Sequence, residues 1–320
     1  MEIIVFLERK TFTIDFPRPH FEHKWIEYPE TRQEEIVPKL SSATIVIANK
    51  LSFREAELTQ LPKLKLIAVA ATGVDNIDLD FCRRQGIAVC NTAGYAIHSV
   101  GEHVLLLMLA LRRNLLSYRK EVEAGAWQKA AQFCLLKHSI SDLHGSTLGI
   151  IGYGSLGQAI GKLASSLGMR ILIAERRHAT SVREGRTLFD EVLEQSDVIT
   201  LHCPLNDETK DLIGARELGQ MKRSAILINT ARGGLVNETA LVEALREAQI
   251  GGAGFDVLSN EPPRQGNPLL DANLPNLIVT PHIAWASREA MMSLANQLVQ
   301  HLEAFVRGEP MNVVPGGRIS

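Results

Sequence analysis

Three short stretches put chemically capable side chains directly behind apolar runs. "TPHIAWAS" carries His282 behind "NLIVT", "SNEPP" carries Glu261 behind "AGFDVL", and "NTARGG" carries Arg232 behind "AILI". A histidine changes charge near neutrality, so it can deliver or accept a proton. A carboxylate can fix its tautomer and stabilise the imidazolium. A guanidinium presents a planar fork of donors that matches a carboxylate. Such a set suits reduction of a keto group beside a carboxylate: negative charge grows on the keto oxygen, a proton must meet it, and a cation must hold the acid. A single histidine after a strand is commonly structural. The functional reading rests on finding all three types at matching strand ends.

A fourth stretch, "GIIGYGSLGQAIGKLASSLG", spaces Gly152, Gly154 and Gly157 as G-x-G-x-x-G between an apolar strand and a helix. In that context the first glycine permits a tight turn, the second lets a pyrophosphate approach the backbone, and the third allows close helix–strand packing. The phosphates then face the N–H groups and positive dipole end of the helix. The next strand runs into Glu175, whose carboxylate can accept hydrogen bonds from both adenosine ribose hydroxyls. That charge repels a 2′-phosphate and favours NAD(H). Arg176 and Arg177 follow at once and keep NADP(H) open. A purely structural glycine turn is the competing reading.

The elements needed to position these residues are legible. "EIIVFL", "ATIVIANK", "LKLIAVAAT" and "GIAVCNTA" read as strands, with amphipathic stretches such as "RQEEIVPKL" and "REAELTQL" between some of them. Near-continuous apolar strands separated by helices imply a parallel sheet covered on both faces. A long helical pattern, "SVGEHVLLLMLALRRNLLSYRKEVEAG", predicts a bridging helix with Ser99 as N-cap and Gly125 as its stop. From Thr147 the alternation restarts with "TLGIIGYG", "RILIAE", "DVITLHCP", "AILINTA", "IGGAGFDVL" and "NLIVTPHIA". The last helical stretch, "SREAMMSLANQLVQHLEAFVRG", is expected to pack back on the first unit. The fold class is therefore α/β, with two doubly wound parallel-sheet domains, the first discontinuous in sequence. Arg232, Glu261 and His282 would all leave the C-terminal ends of parallel strands, the edge where open α/β sheets bind ligands.

A length of 320 residues fits two domains. The net charge of −2 gives no electrostatic case for nucleic acid or an anionic membrane. The longest apolar run, "VLLLMLAL", falls short of the roughly 20 residues needed to span a bilayer. Cys82, Cys90, Cys134 and Cys203 form no CxxC pair, which fits reduced thiols in the cytoplasm and no metal. The N-terminal stretch "MEIIVFLERKTF" does not read as a signal peptide.

Taken with "ATGVDNIDLDFCRRQGIAVCNTAG", "LHCPLNDETKDLI" and "LINTARGGLVNE", these stretches resemble the D-isomer-specific 2-hydroxyacid dehydrogenases over nearly the whole chain. The resemblance implies a Rossmann dinucleotide-binding domain at 100–284 and a flavodoxin-like substrate domain from 1–99 and 285–320. It implies Arg232, Glu261 and His282 as the catalytic set. It implies that Ser155 and Leu156 lie over the pyrophosphate, and that Cys203 and Pro204 line the adenine side, with Thr209 near the phosphates. Thr230, Ala231, Arg232 and His282 would flank the nicotinamide, Asp256 would accept from its carboxamide, and Val100 would pack on the ring. Thr72, Gly73 and Val74 would offer backbone N–H groups to the substrate carboxylate. The other reading of that loop is a strand-to-helix turn capped by Asp75 or Asp78. His98, His103, His144 and His202 are read as packing or supporting residues. A homodimer joined through the cofactor domain is the family expectation.

The chain departs from many relatives in having Ala93 and Gly94 in "NTAGYA", and Trp285 after the histidine. Trp285 could shape a pocket for small acids, contact a partner subunit, or lie between domains. "TPHIAWAS" with "NTAGYA" looks most like the glycerate dehydrogenase (hydroxypyruvate reductase) and glyoxylate reductase branch of that family, a resemblance that implies NAD(H) and glycerate/hydroxypyruvate or glycolate/glyoxylate. The alternatives are an NAD(H)-sensing regulatory protein on the same fold, a phosphite dehydrogenase-like enzyme, or an idle structural dimer.

Overall fold

The computed structural model describes residues 1–314, so residues 315–320 of the predicted substrate domain lie outside the described residues. The chain divides into two units, Met1–Ala96 with Ala286–Ser320, and Ile97–Trp285. In chain order the first stretch holds β1 (Glu2–Phe6), β2 (His23–Glu27), α1 (Ile36–Leu40), β3 (Ile45–Ala48), α2 (Glu55–Leu58), β4 (Leu66–Val69), α3 (Leu79–Gln85) and β5 (Ala88–Asn91). The second unit follows with α4 (Ile97–Arg112), α5 (Leu115–Glu123), β6 (Thr147–Ile151), α6 (Ser155–Ser166), β7 (Arg170–Ile173), α7 (Phe189–Gln195), β8 (Val198–Leu201), α8 (Ala215–Gln220), β9 (Ile226–Asn229), α9 (Glu238–Arg246), β10 (Gly252–Phe255), α10 (Pro268–Asp271) and β11 (Leu277–Val279). The chain then returns to the first unit as α11 (Arg288–Val306).

The first unit is a parallel sheet of order β2-β1-β3-β4-β5, the flavodoxin-like order. β3 and β4 are buried along their whole length, as their unbroken apolar sequences require. α11 packs on β4. Its Ser287 hydroxyl accepts from the Ala290 N–H, and the segment behind it pairs Val313 with Cys90. The sequence reading lacks β2. None of its residues is fully buried and it sits at the sheet edge, so no apolar run announces it.

The second unit is a parallel sheet of order β11-β10-β9-β8-β6-β7. Beyond β7 the sheet continues as a single parallel bridge, Ala174 to Thr187. With that bridge counted as a vestigial strand, the order is the Rossmann one. Two parallel α/β units are thus the fold class the sequence implies. The cores are Ile and Leu side chains such as Ile4, Ile45 and Leu66 in the first unit and Leu148, Ile150 and Leu227 in the second. Each such burial stabilises the fold by about 1.5–3 kcal/mol.

One element differs from expectation. The predicted helix from Ser99 to Gly125 is two helices, because Asn114 adopts a left-handed conformation (φ 49°). Its side-chain amide donates to the Ser139 carbonyl at 2.7 Å, which fastens the break. Asparagine tolerates that conformation better than most residues. Ser99 is not an N-cap. It lies inside α4 and donates to the Ala284 carbonyl at 2.6 Å. Among the described residues, no helix is long and apolar enough to cross a membrane.

Candidate active site

β6 delivers the chain into Gly152 at φ +93°, a conformation that side chains resist. A Cβ there would stand 2.5 Å from the Cys203 nitrogen. A Cβ on Gly157 would strike the Gly152 carbonyl, so this glycine lets α6 approach β6. Gly154 is different: a Cβ would meet nothing within 4 Å. It is the N-cap of α6, with no side-chain cap and no acidic residue in the first turn. The first N–H groups of this twelve-residue helix, led by Ser155 and Leu156, thus take no side-chain cap. This arrangement fits a pyrophosphate.

Glu175 follows β7 and is buried. Its Oε1 accepts from the Arg176 N–H (2.9 Å) and Arg183 Nη2 (2.5 Å), and its Oε2 accepts from Arg183 Nε (2.7 Å) and the Arg183 N–H (3.2 Å). The Arg183 guanidinium, then the Arg176 N–H, hold the carboxyl at about 2. Arg176 is exposed, whereas Arg177 is tied to the buried Glu217 at 2.5 Å. The loop after β8 carries Cys203, whose thiol burial pushes up to about 11. In the same loop the Thr209 hydroxyl donates to the Pro204 carbonyl at 2.7 Å and closes the turn. Val100 is buried in α4.

Arg232, Glu261 and His282 leave β9, β10 and β11, which are neighbours in the sheet and run parallel. At β9, the buried Asn229 clasps the following turn. Its amide donates to the Arg232 carbonyl (2.8 Å) and its oxygen accepts from the Ala231 N–H (3.0 Å). Arg232 Nη1 donates to the Ala231 carbonyl at 2.8 Å. Thr230 lies in the same turn, and its buried hydroxyl finds no hydrogen-bond partner among the described residues. Gly233 packs so tightly on the Leu258–Ser259 backbone that no Cβ could fit. That contact seats the arginine turn against the loop bearing Glu261.

The Glu261 loop is anchored by Glu238, a buried residue in the first turn of α9. Its carboxylate accepts from the Ser259 N–H (2.6 Å), the Ser259 hydroxyl (2.7 Å) and the Asn267 amide (2.7 Å). Glu261 then accepts from the Leu258 N–H at 2.8 Å through Oε1 and meets His282 Nδ1 at 2.5 Å through Oε2.

His282 itself has φ +57°. Such a conformation is uncommon outside glycine and is held by its surroundings. Asp256, 1% exposed, provides the hold. Its Oδ1 accepts from the Thr280 hydroxyl (2.5 Å) and Ile283 N–H (2.9 Å), and its Oδ2 from the Ala284 N–H (2.7 Å). His103 supports Thr280 at 3.0 Å. The Trp285 indole donates to the His282 carbonyl at 3.0 Å. Trp285 therefore braces the histidine loop, a contact absent from every sequence reading of it.

In the first unit, Thr72, Gly73 and Val74 follow β4. The Thr72 hydroxyl donates to the Thr92 carbonyl at 2.8 Å, and Asn91 donates to the Thr72 carbonyl at 2.7 Å. Asp78 caps α3 by accepting from the Phe81 N–H. The sequence reading missed Asn229, Glu238 and Arg183. Each is polar and unremarkable in sequence, and its importance arises from contacts made in the fold.

Residues 105–284 match the family model described as D-isomer specific 2-hydroxyacid dehydrogenase, NAD binding domain. The chain is 53% identical to the glycerate dehydrogenase of Methylorubrum extorquens, over 97% of this chain and 98% of that one. It is 36% identical to the hydroxypyruvate reductase of Blautia hydrogenotrophica, over 89% and 88%. Among solved structures, the D-lactate dehydrogenase from Aquifex aeolicus complexed with NAD and lactic acid superposes with a TM-score of 0.78 at 27% identity, covering 96% of each chain.

Proposed function

This chain belongs to the D-isomer specific 2-hydroxyacid dehydrogenase family, and from that premise we propose that it interconverts glycerate and hydroxypyruvate, or glycolate and glyoxylate, through Arg232, Glu261 and His282. It is an NAD-linked oxidoreductase of 2-hydroxy acids. The observation that carries the residue assignment is the His282 Nδ1–Glu261 contact at a strand edge shared with Arg232.

In the reductive direction the bound nicotinamide supplies a hydride to the keto carbon. Glu261 accepts from His282 Nδ1–H, which leaves Nε2 as the atom that exchanges a proton with substrate. Protonated His282 then donates from Nε2 to the keto oxygen as negative charge builds there, and the carboxylate behind the ring stabilises the imidazolium. Arg232 holds the substrate carboxylate by its guanidinium fork. Asp256 and Trp285 keep the histidine backbone in its left-handed conformation.

The second unit holds the dinucleotide with its pyrophosphate over Gly154, Ser155 and Leu156. Glu175 would hold its ribose, Cys203 and Pro204 would line its adenine, Thr209 would reach its phosphates, and Val100, Thr230, Ala231 and Asp256 would flank its nicotinamide. Glu175 favours NAD(H), and exposed Arg176 leaves room for NADP(H). The working form is a homodimer built on the second unit. Support comes from the exposed apolar side chains of α4, α5 and the stretch after them, including Leu106, Leu115, Trp127, Phe133 (91% exposed) and Leu136. Unpaired cysteines suit a cytoplasmic setting.

The intact trio favours catalysis over a purely dinucleotide-sensing role. NADH consumption with hydroxypyruvate, glyoxylate and pyruvate tests this: turnover strongest with hydroxypyruvate or glyoxylate supports the assignment, and no oxidation above background with any of them overturns it.

A further inference from the structure

We propose that Arg183 sets the dinucleotide preference of this chain, competing with the ribose of NAD(H) for Glu175 and turning to the 2′-phosphate of NADP(H). The inference rests on the dinucleotide reading above and adds a residue to it. A carboxylate offers about four lone-pair sites, and Glu175 has all four engaged: two with the Arg183 guanidinium, one with the Arg183 N–H and one with the Arg176 N–H. A ribose diol that takes this carboxylate must displace at least one of those bonds. The backbone of Arg176 cannot yield readily, because the neighbouring Glu175 N–H is committed to Thr187 in the bridge that prolongs the sheet. The Arg183 guanidinium can, because its side chain is 59% exposed whereas that of Glu175 is 3% exposed.

Displaced, the guanidinium remains tethered beside the ribose edge. For an unphosphorylated ribose it is only a competitor. For a 2′-phosphate it is a bidentate partner, and while it stays near Glu175 it also offsets the charge that would repel the phosphate. Of the two candidates from the sequence, Arg177 is committed to Glu217, and Arg176 touches Glu175 through its backbone N–H. The same arginine thus weakens one dinucleotide and strengthens the other.

The test is direct titration of the whole chain with NADH and, separately, NADPH, followed by nicotinamide fluorescence, for the unsubstituted protein, Arg183→Ala and Arg183→Gln. Removing a competing exposed ion pair should lower the Kd for NADH roughly two- to fivefold. Losing the phosphate partner should raise the Kd for NADPH about tenfold or more. The NADPH/NADH ratio of Kd values should therefore climb by more than tenfold in both variants. A ratio unchanged within about twofold, with the unsubstituted protein binding NADH normally, overturns the role of Arg183. An unsubstituted protein that binds neither dinucleotide overturns the cofactor reading itself, and this inference falls with it.

Discussion

His282 Nδ1 lies 2.5 Å from Glu261 Oε2, so the carboxylate grips the imidazole through one nitrogen and leaves the other for substrate. An amide in place of the carboxylate can present its NH2 to Nδ1 and favour the wrong tautomer. Glu261→Gln should therefore lower kcat on the order of 10²-fold or more, with little change in NADH affinity. Single-turnover NADH oxidation alongside cofactor titration separates the two quantities. Near-normal turnover would remove Glu261 from the mechanism.

The three glycines of the turn do different work, and alanine at each should show it. At Gly152 and Gly157 a methyl group collides with backbone, so both variants should unfold at lower temperature and bind NADH poorly. At Gly154 a methyl group meets open space. Gly154→Ala should leave Tm almost unchanged and still weaken NADH binding severalfold, because the added carbon stands where the pyrophosphate must approach. Differential scanning fluorimetry paired with NADH titration reads both effects. Unimpaired binding by Gly154→Ala would move the phosphates elsewhere.

Asp256 is the buried peg of the histidine loop. Asp256→Ala strands the N–H groups of Ile283 and Ala284, while the Thr280 hydroxyl keeps His103 and the Phe255 carbonyl as partners. Of these only the Ala284 N–H belongs to a buried residue, and a buried donor left unsatisfied costs about 1–3 kcal/mol, so the variant should lose about 1–3 kcal/mol in urea unfolding. A loss below about 1 kcal/mol would mean that the loop holds itself.

The half-buried ring of His202 gives the stability curve a predictable slope. Burial lowers its pKa from 6.5 to about 4. Between those values the unfolded chain binds a proton that the folded chain refuses, so stability rises with pH there and falls as the solution is acidified. One group contributes at most about 1.4 kcal/mol per pH unit. Burial lowers His301 as well, in the same sense. Glu175, held at about 2 against an ordinary 4.5, adds to the slope in the same sense only at the acid end of that range. His202→Gln should flatten the dependence between pH 4 and 6.5 without abolishing it, as measured by urea midpoints across that range. An unchanged slope would mean that His202 is protonated in the folded chain.

Much of this architecture is legible in the sequence because buried parallel strands are written as uninterrupted apolar runs. All six strands of the second sheet, and four of the five in the first, stand out that way. The missing strand, β2, lies at an edge and reads "HKWIE", which has no such run. The break at Asn114 is hidden because helical periodicity continues through "NLLSYRKEVE" and the bond that fixes the break reaches to Ser139. The glycine turn and the strand-end trio are visible because their chemistry demands particular residue types at particular places. Their supports are not. Glu238 reads as an ordinary acid in a helix's first turn, yet it ties down a loop more than twenty residues away. Arg183 is one of several arginines between Glu175 and Thr187. Only the fold of that bend puts it on the carboxylate.

The central claim concerns the proton that His282 carries to the keto oxygen. The most direct measurement is steady-state NADH oxidation with hydroxypyruvate by the unsubstituted chain and by His282→Ala, with NADH affinity determined for both. The account predicts a fall in kcat on the order of 10²–10⁴-fold in the variant while NADH still binds. A variant that turns over within a few-fold of the unsubstituted chain would contradict it.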